Sequence, residues 1–513
     1  MPKNIIICAD GTGNTTIKGR GTNVFKLYEA VDQNGHRFDP AAVQQVAIYH
    51  DGVGTETLKW ARLFAGAFGW GLSRNVKQLY GELARVYDPG DHIFLFGYSR
   101  GAFTVRTLAG LVTSCGILDP TRYSTNRAFW GAVRHAYSQY RRKYQTKLSK
   151  ILRGRKTVDD ADLRREFSVA IPAFTDPARK IIDFIGVWET VDAVGVPFGI
   201  ADLINGTIYR FKFPSTVLSP DVASACHALA LDEQRQSFAP VLWREGPGDA
   251  ERVQQVWFAG SHANVGGGYP RQGISLVALD WMMWKAEALG VRFLPSHRRL
   301  YRDATDVDDK LYEPRVGLGM FYQWQPRNVV RLCAENHVSP KVHRTVYQRI
   351  ARNTEGYAPG SVPPDADVIT TSSPEVTLPI RALVAAHHGD SRSLVEREGT
   401  AHVLGKSAYW LMIAMTLTCA AMIVATYYGD IASIPGWQER AVAVMSTIVS
   451  TNWFAVTGRT IWHDPWLAAG ALLGLWLNLR VASHLDTAYS EFWHRLRAPL
   501  RAALDQRRPV SRA

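Results

Sequence analysis

A chain of 513 residues, 46% of them hydrophobic, can build two or three domains with real cores, which excludes a chain too polar to fold. Its formal charge of +13 would suit nucleic acid, an anionic membrane or plain solubility, so the distribution of charge has to decide. Five cysteines (Cys8, Cys115, Cys226, Cys333, Cys419) stand isolated, which excludes a zinc site or a disulfide framework and leaves small buried hydrophobes.

In chain order, Ile5–Ala9 reads as a buried strand ending in the turn Asp10-Gly11-Thr12-Gly13-Asn14. Its apolar run is too short for a signal peptide, so the domain is expected in the cytosol unless dedicated machinery exports it. A second strand, Val46–Tyr49, ends in Asp51-Gly52-Val53-Gly54, and the glycine-rich stretch Gly52–Gly71 follows as an insertion. Asn75–Tyr87 has helical periodicity and stops at Pro89-Gly90. The run IFLF then leads to Gly97, Ser99 and Gly101, and apolar residues Ala102, Val105, Leu108, Ala109 and Val112 continue as a helix. Strand, tight turn and helix make Gly97-x-Ser99-x-Gly101 a nucleophile elbow, where larger side chains beside the serine would collide.

Residues 120–178 form a long section with a basic cluster from Arg134 to Lys156, interrupted by Tyr137, Tyr140 and Tyr144. It reads as a solvated helix face, and the section as a cap or surface excursion. Lys180–Trp188 and Val253–Ala259 are further strands, while His227 falls on an apparent helix. Tyr357–Pro374, rich in Pro, Gly and Ser, closes the globular part. Ala408–Tyr428 carries no charge and as a helix would span about 31 Å, the thickness of a hydrocarbon core. The runs Ala441–Gly458 and Trp466–Leu479 are weaker, and the arginine-rich end favours a cytoplasmic C-terminus, hence a two-pass hairpin.

A serine nucleophile needs a base and an acid that orients it. His262 follows a strand in a glycine-rich loop and suits the base; Glu189 or Asp192, after another strand, suits the acid. The Arg100 N–H at the helix start is one expected oxyanion donor, and Gly11 or Thr12 supplies the other. Asp10 could also end the first strand of a metal or phosphoryl site, but no second aspartate stands at close spacing.

Seven blocks in order, DGTGN, YHDGVGT, YDPGDHIFLFGYSRGAFTVR, FIGVWETVDAVGVP, HALALDEQRQSFAP, QVWFAGSHANVGGGYP and YAPGSVP, give residues 3–365 a resemblance to a known family. The chain resembles the uncharacterised α/β-hydrolase domain family that includes type VI secretion system phospholipase effectors. The resemblance implies a Ser-Asp-His triad with Ser99 as nucleophile and His262 as base, lipase or phospholipase chemistry, and no metal or organic cofactor. The chain departs from it with Glu189 and Asn264, where the family has aspartates.

The expected fold is therefore α/β, an α/β-hydrolase-like, mostly parallel sheet with helices on both faces plus a C-terminal transmembrane helical region. Expected domains are a catalytic domain over 1–375, a linker over 376–405, membrane-anchoring helices over 406–485 and a basic tail over 486–513. The expected protein is a membrane-anchored serine ester hydrolase acting on lipid or another ester, with no nucleic-acid partner, at a bacterial inner membrane with its catalytic domain cytoplasmic. A secreted toxin with the same chemistry, with unknown secretion or immunity partners, and a catalytically dead scaffold are the alternatives.

Overall fold

The computed structural model describes residues 2–11, 21–51, 68–143, 160–167, 179–191, 216–316, 322–371, 378–386, 403–418, 422, 436 and 465–505. Two compact units divide the chain, one of residues 1–322, 326–388 and 493–513, the other of residues 323–325 and 389–492.

The first unit is built on one sheet of eight strands: β1 Asn4–Ala9, β2 Gln45–His50, β3 His92–Tyr98, β4 Ile182–Trp188, β5 Val222–Ala230, β6 Val253–Phe258, β7 Lys341–His343 and β8 Asp367–Ile369. Their order is β2-β1-β3-β4-β5-β6-β7-β8, and every neighbouring pair is parallel. A parallel sheet needs cover on both faces, which is why its strands read as unbroken apolar runs. In β1, Ile5 and Ile7 face a core formed with the helices Phe68–Val86, Arg100–Cys115 and Asn126–Arg142. Ile6 and Cys8 face the opposite core, closed by the helices Asn23–Ala30 and Gly273–Glu287. β2 and β3 lie on opposite sides of β1, which makes the carboxyl ends of β1 and β3 the switch point beyond which such sheets bind ligands.

Several expectations change. β5 contains His227, so the apparent helix there is a strand: alanine-rich local propensity yields to burial in the middle of the sheet. The helix expected from Asn75 begins at Phe68, inside the stretch taken as an insertion, whose residues 52–67 lie outside the described ones. In the basic section, Phe129, Val133, Tyr137, Tyr140, Leu163 and Phe167 join the core, so the described helices Asn126–Arg142 and Asp160–Phe167 form a layer of the fold rather than a lid. Residues 144–159 and 168–178 of that section lie outside the described residues. Cys8, Cys115, Cys226 and Cys333 are buried free thiols.

The C-terminal region differs most. The expected linker holds a helix, Leu378–Ala386, and the expected tail is the end of a helix running Pro465–Asp505. Trp493, Leu496 and Leu500 on that helix are buried, and Trp493 Nε1 donates to the Pro359 carbonyl at 2.6 Å. Arg501 donates to the Ala351 carbonyl at 2.8 Å, so a residue of the basic tail caps the helix Arg344–Arg352. In the second unit, a helix over 403–418 packs on the same long helix at Gly470 and Gly474. Among the described residues no helix is long and apolar enough to cross a membrane. The uncharged run 408–428 is continuously described only to residue 418, and 441–458 lies outside the described residues.

Trp493 carries the docking of the chain's end onto the first unit. Trp493→Ala is expected to cost that unit about 3–5 kcal/mol, measured as a lowered thermal unfolding midpoint; an unchanged midpoint would make these last turns dispensable.

Candidate active site

Ser99 follows β3 and caps the helix Arg100–Cys115, with φ 57° and ψ −119°, a left-handed conformation that a serine adopts only under constraint. Packing supplies the constraint. A Cβ on Gly101 would stand 2.0 Å from the Ala9 carbonyl oxygen, and one on Gly97 would stand 2.6 Å from the Gly101 carbonyl. Only glycine at 101 lets the helix start cross the end of β1 so closely, and only glycine at 97 lets β3 lie so close under that helix start. The Ser99 N–H donates to the Trp188 carbonyl at 3.0 Å, tying the turn to the end of β4.

His262 begins the short helix His262–Gly266, shortly beyond the end of β6. Its Nε2 lies 2.9 Å from Ser99 Oγ, and its Nδ1 lies 2.9 Å from Glu189 Oε2. The ring packs between Tyr98, with centroids 4.9 Å apart, and Phe238 at 5.0 Å. Burial pushes the imidazole below its ordinary pKa, against the opposing pull of Glu189, so it rests neutral, as an acceptor for a hydroxyl proton must. The backbone is held too. Asn264 Oδ1 accepts from the Ser261 N–H at 3.0 Å and the Ser261 hydroxyl at 2.8 Å, so this side chain closes a capping box.

Glu189 follows the last residue of β4 with a positive φ of 50° and is wholly buried. Its burial alone would raise its pKa, but Arg327 and the hydrogen bonds from Arg327 and His262 outweigh that and hold it well below the usual carboxylate range. The next residue, Thr190, donates its N–H to His227 Nε2 at 3.1 Å. Burial first, with Arg106 nearby, lowers His227 to about 3, so this strand histidine stays neutral and pins the turn that carries Glu189.

Of the two acids weighed from the sequence, Glu189 contacts His262, whereas Asp192 lies outside the described residues. Arg100 opens the helix, so its N–H belongs to the first turn, where amides point outward beside Ser99. The Gly11 N–H is taken by Asp10 Oδ1 at 2.6 Å, and Thr12 lies outside the described residues. Asp10 Oδ2 accepts from the Thr22 hydroxyl at 2.6 Å and the Tyr49 hydroxyl at 2.8 Å, which makes it a clasp between β1, β2 and the following loop.

Three charged residues escaped the sequence reading. Arg327 forks onto Glu189, with NH1–Oε1 at 2.7 Å and NH2–Oε2 at 2.8 Å. Glu233 accepts the His262 N–H at 3.2 Å and holds Arg235 through two bonds of 2.8 Å. Arg235 in turn lies 3.7 Å over the Phe238 ring. Glu233 and Arg235 sit inside the HALALDEQRQSFAP block, which was the available signal; Arg327 belongs to no pattern.

A family model described as type VI secretion (T6SS) phospholipase effector Tle1-like, catalytic domain, matches residues 3–285. An uncharacterised protein of Saccharomyces cerevisiae, YEL023C, is 27% identical over 258 residues, 48% of this chain and 33% of that protein. The chain thus spans about a third of the length of that curated relative. A Tle1 effector solved bound to the VgrG spike of the type 6 secretion system has a TM-score of 0.34 at 16% identity, covering 62% of this chain and 78% of its own. An uncharacterised protein from Pseudomonas aeruginosa has a TM-score of 0.36 at 14% identity, covering 100% and 77%.

Replacing Glu189 by Gln leaves Arg327 buried without its counter-charge and is expected to cost about 3–5 kcal/mol at neutral pH. Glu189 is more acidic folded than unfolded, so its contribution is full above about 4.5 and fades as pH falls below that value. Urea unfolding of both proteins across this range should show the gap between them narrowing toward acid.

Proposed function

The chain belongs to the type VI secretion phospholipase effector Tle1-like family, and on that premise we propose that it is a serine hydrolase cleaving a carboxylic ester of a phospholipid. One observation carries the reading: a hydroxyl, an imidazole and a carboxylate are linked in turn at 2.9 Å and 2.9 Å, beyond the carboxyl ends of β3, β6 and β4.

In this reading His262 Nε2 takes the Ser99 proton as Oγ attacks the ester carbonyl carbon. Glu189 steadies the imidazolium and fixes its tautomer. The oxyanion is received by the Arg100 N–H and by a second donor from the loop after β1, for which Thr12 is the candidate because the Gly11 N–H is held by Asp10. The imidazolium then gives its proton to the departing alcohol, leaving an acyl-Ser99 ester. A water, deprotonated by His262, cleaves that ester and restores the serine. The chemistry needs no metal or cofactor.

Two readings concern where it acts. Membrane attachment is supported by the second unit, where Trp466, Leu472 and Trp476 are 81%, 66% and 56% exposed on one helix and Leu417 is 60% exposed on another. Apolar side chains so exposed suit lipid better than water. Under this reading residues 406–485 hold the enzyme at its substrate, after the linker at 376–405. Family membership favours the second reading, delivery as an effector to another cell's lipids.

Ser99→Ala and His262→Ala are each expected to lower release of fatty acid from phospholipid vesicles by about 10⁴-fold or more. Turnover equal to wild type in both would end the triad reading. Flotation with vesicles at high salt tests attachment: the full chain should rise with lipid, and joint Trp466→Asp, Leu472→Asp and Trp476→Asp substitution should leave it at the bottom.

A further inference from the structure

We propose that Arg327 is a positioning residue of the ester-cleaving site, clamping Glu189 so that one carboxylate oxygen faces His262, and that the site is therefore completed by chain beyond the family's catalytic segment. The proposal rests on the Ser99–His262–Glu189 reading above. It deepens that reading with a residue outside the matched residues 3–285.

A glutamate carries one more torsion between backbone and carboxylate than an aspartate would. A free glutamate would spread over several rotamers, and few of them point an oxygen at a ring nitrogen. Here each oxygen is assigned. Oε1 accepts from Arg327 NH1 at 2.7 Å and from the Ala230 N–H at 2.6 Å. Oε2 accepts from Arg327 NH2 at 2.8 Å, leaving its other lone pair for His262 Nδ1 at 2.9 Å. A planar fork meeting both oxygens fixes the plane of the carboxylate, which a point charge cannot do.

The clamp is itself held. Arg327 NH1 donates to the Ala230 carbonyl and NH2 to the Phe238 carbonyl at 2.7 Å, both in the stretch that leaves β5. Its guanidinium carbon lies 6.0 Å from the Trp257 ring centroid. Ala230 thus grips both partners, its N–H on Glu189 and its carbonyl on Arg327. A surface ion pair needs none of this; a carboxylate that must present one oxygen to a base does.

The clamp also sets charge. The groups around the Glu189–His262 pair are Arg327, Glu233, Arg235, His227 and Tyr98. Two guanidiniums balance two carboxylates, and the imidazole stays neutral at rest. Removing the Arg327 charge makes protonation of both Glu189 and His262 easier.

Arg327→Met and Arg327→Lys in the full chain, assayed on p-nitrophenyl butyrate and on phosphatidylglycerol vesicles, test the clamp. Arg327→Met should lose about 10²-fold in kcat with KM little changed, and the acid limb of its kcat/KM profile should move to higher pH. Arg327→Lys keeps the charge but not the fork, so kcat should fall while the limb stays in place. A folded Arg327→Met with wild-type kcat, or with lowered kcat and an unmoved limb, overturns the proposal. If Arg327→Met does not fold, Arg327→Lys decides: wild-type kcat overturns it, and reduced kcat with unchanged KM and limb upholds it. Ser99→Ala separates the two levels. Full activity there overturns the triad and the clamp together, whereas an inactive Ser99→Ala beside unaffected Arg327 variants overturns the clamp alone.

Discussion

The crossing of the helix Arg100–Cys115 over the end of β1 is the constraint around which the site is arranged. It leaves room for hydrogen alone at Gly101, the tight return of the helix start onto β3 does the same at Gly97, and Ser99 between them is held at a positive φ. Such a conformation costs of order 1–3 kcal/mol and persists only where the surroundings over-determine it. The surroundings here are a parallel sheet buried on both faces, with β3 paired to β1 on one side and β4 on the other. The strain puts the hydroxyl at the lip of the sheet, where neighbouring strand ends can deliver their side chains to it.

Those strand ends bring unusual charge into a dry place. Glu189, Glu233, Arg235 and Arg327 surround a buried imidazole, and each ion is matched by an opposite one through two hydrogen bonds. In a low dielectric, matched pairs fix geometry firmly, and unmatched ones are costly. The arrangement has an inherent trade-off. A guanidinium on the Glu189 carboxylate weakens its pull on an imidazolium while making its position certain. For the longer glutamate arm, position is the scarcer commodity.

The later part of the chain serves two different units. Residues after 285 add β7 and β8 to the sheet, bring Arg327 to Glu189, and seat Trp493 against the Pro359 carbonyl. Residues 389–492 make up most of a unit of their own, with large apolar side chains exposed on its described helices.

Local patterns carried the strands, because a strand buried on both faces has to be apolar throughout: IIICA and IFLF announce themselves. They carried the elbow as well, since its glycines are a steric requirement written within five residues. His262 was legible from its place after a strand, and Glu189 only as one of two acids in the same turn. Composition misled where small residues imitate a helix, as around His227, and where arginines imitate a free tail, as around Arg501. The sequence by itself thus determined the layered α/β fold and singled out Ser99 and His262 as candidates, since each follows from spacing along a few residues. The contact of Glu189 with His262, the fork of Arg327 upon Glu189 and the anchoring of Trp493 were decided only by tertiary structure, because burial and ion pairing join residues 138 or 134 positions apart, and no local pattern records such a meeting.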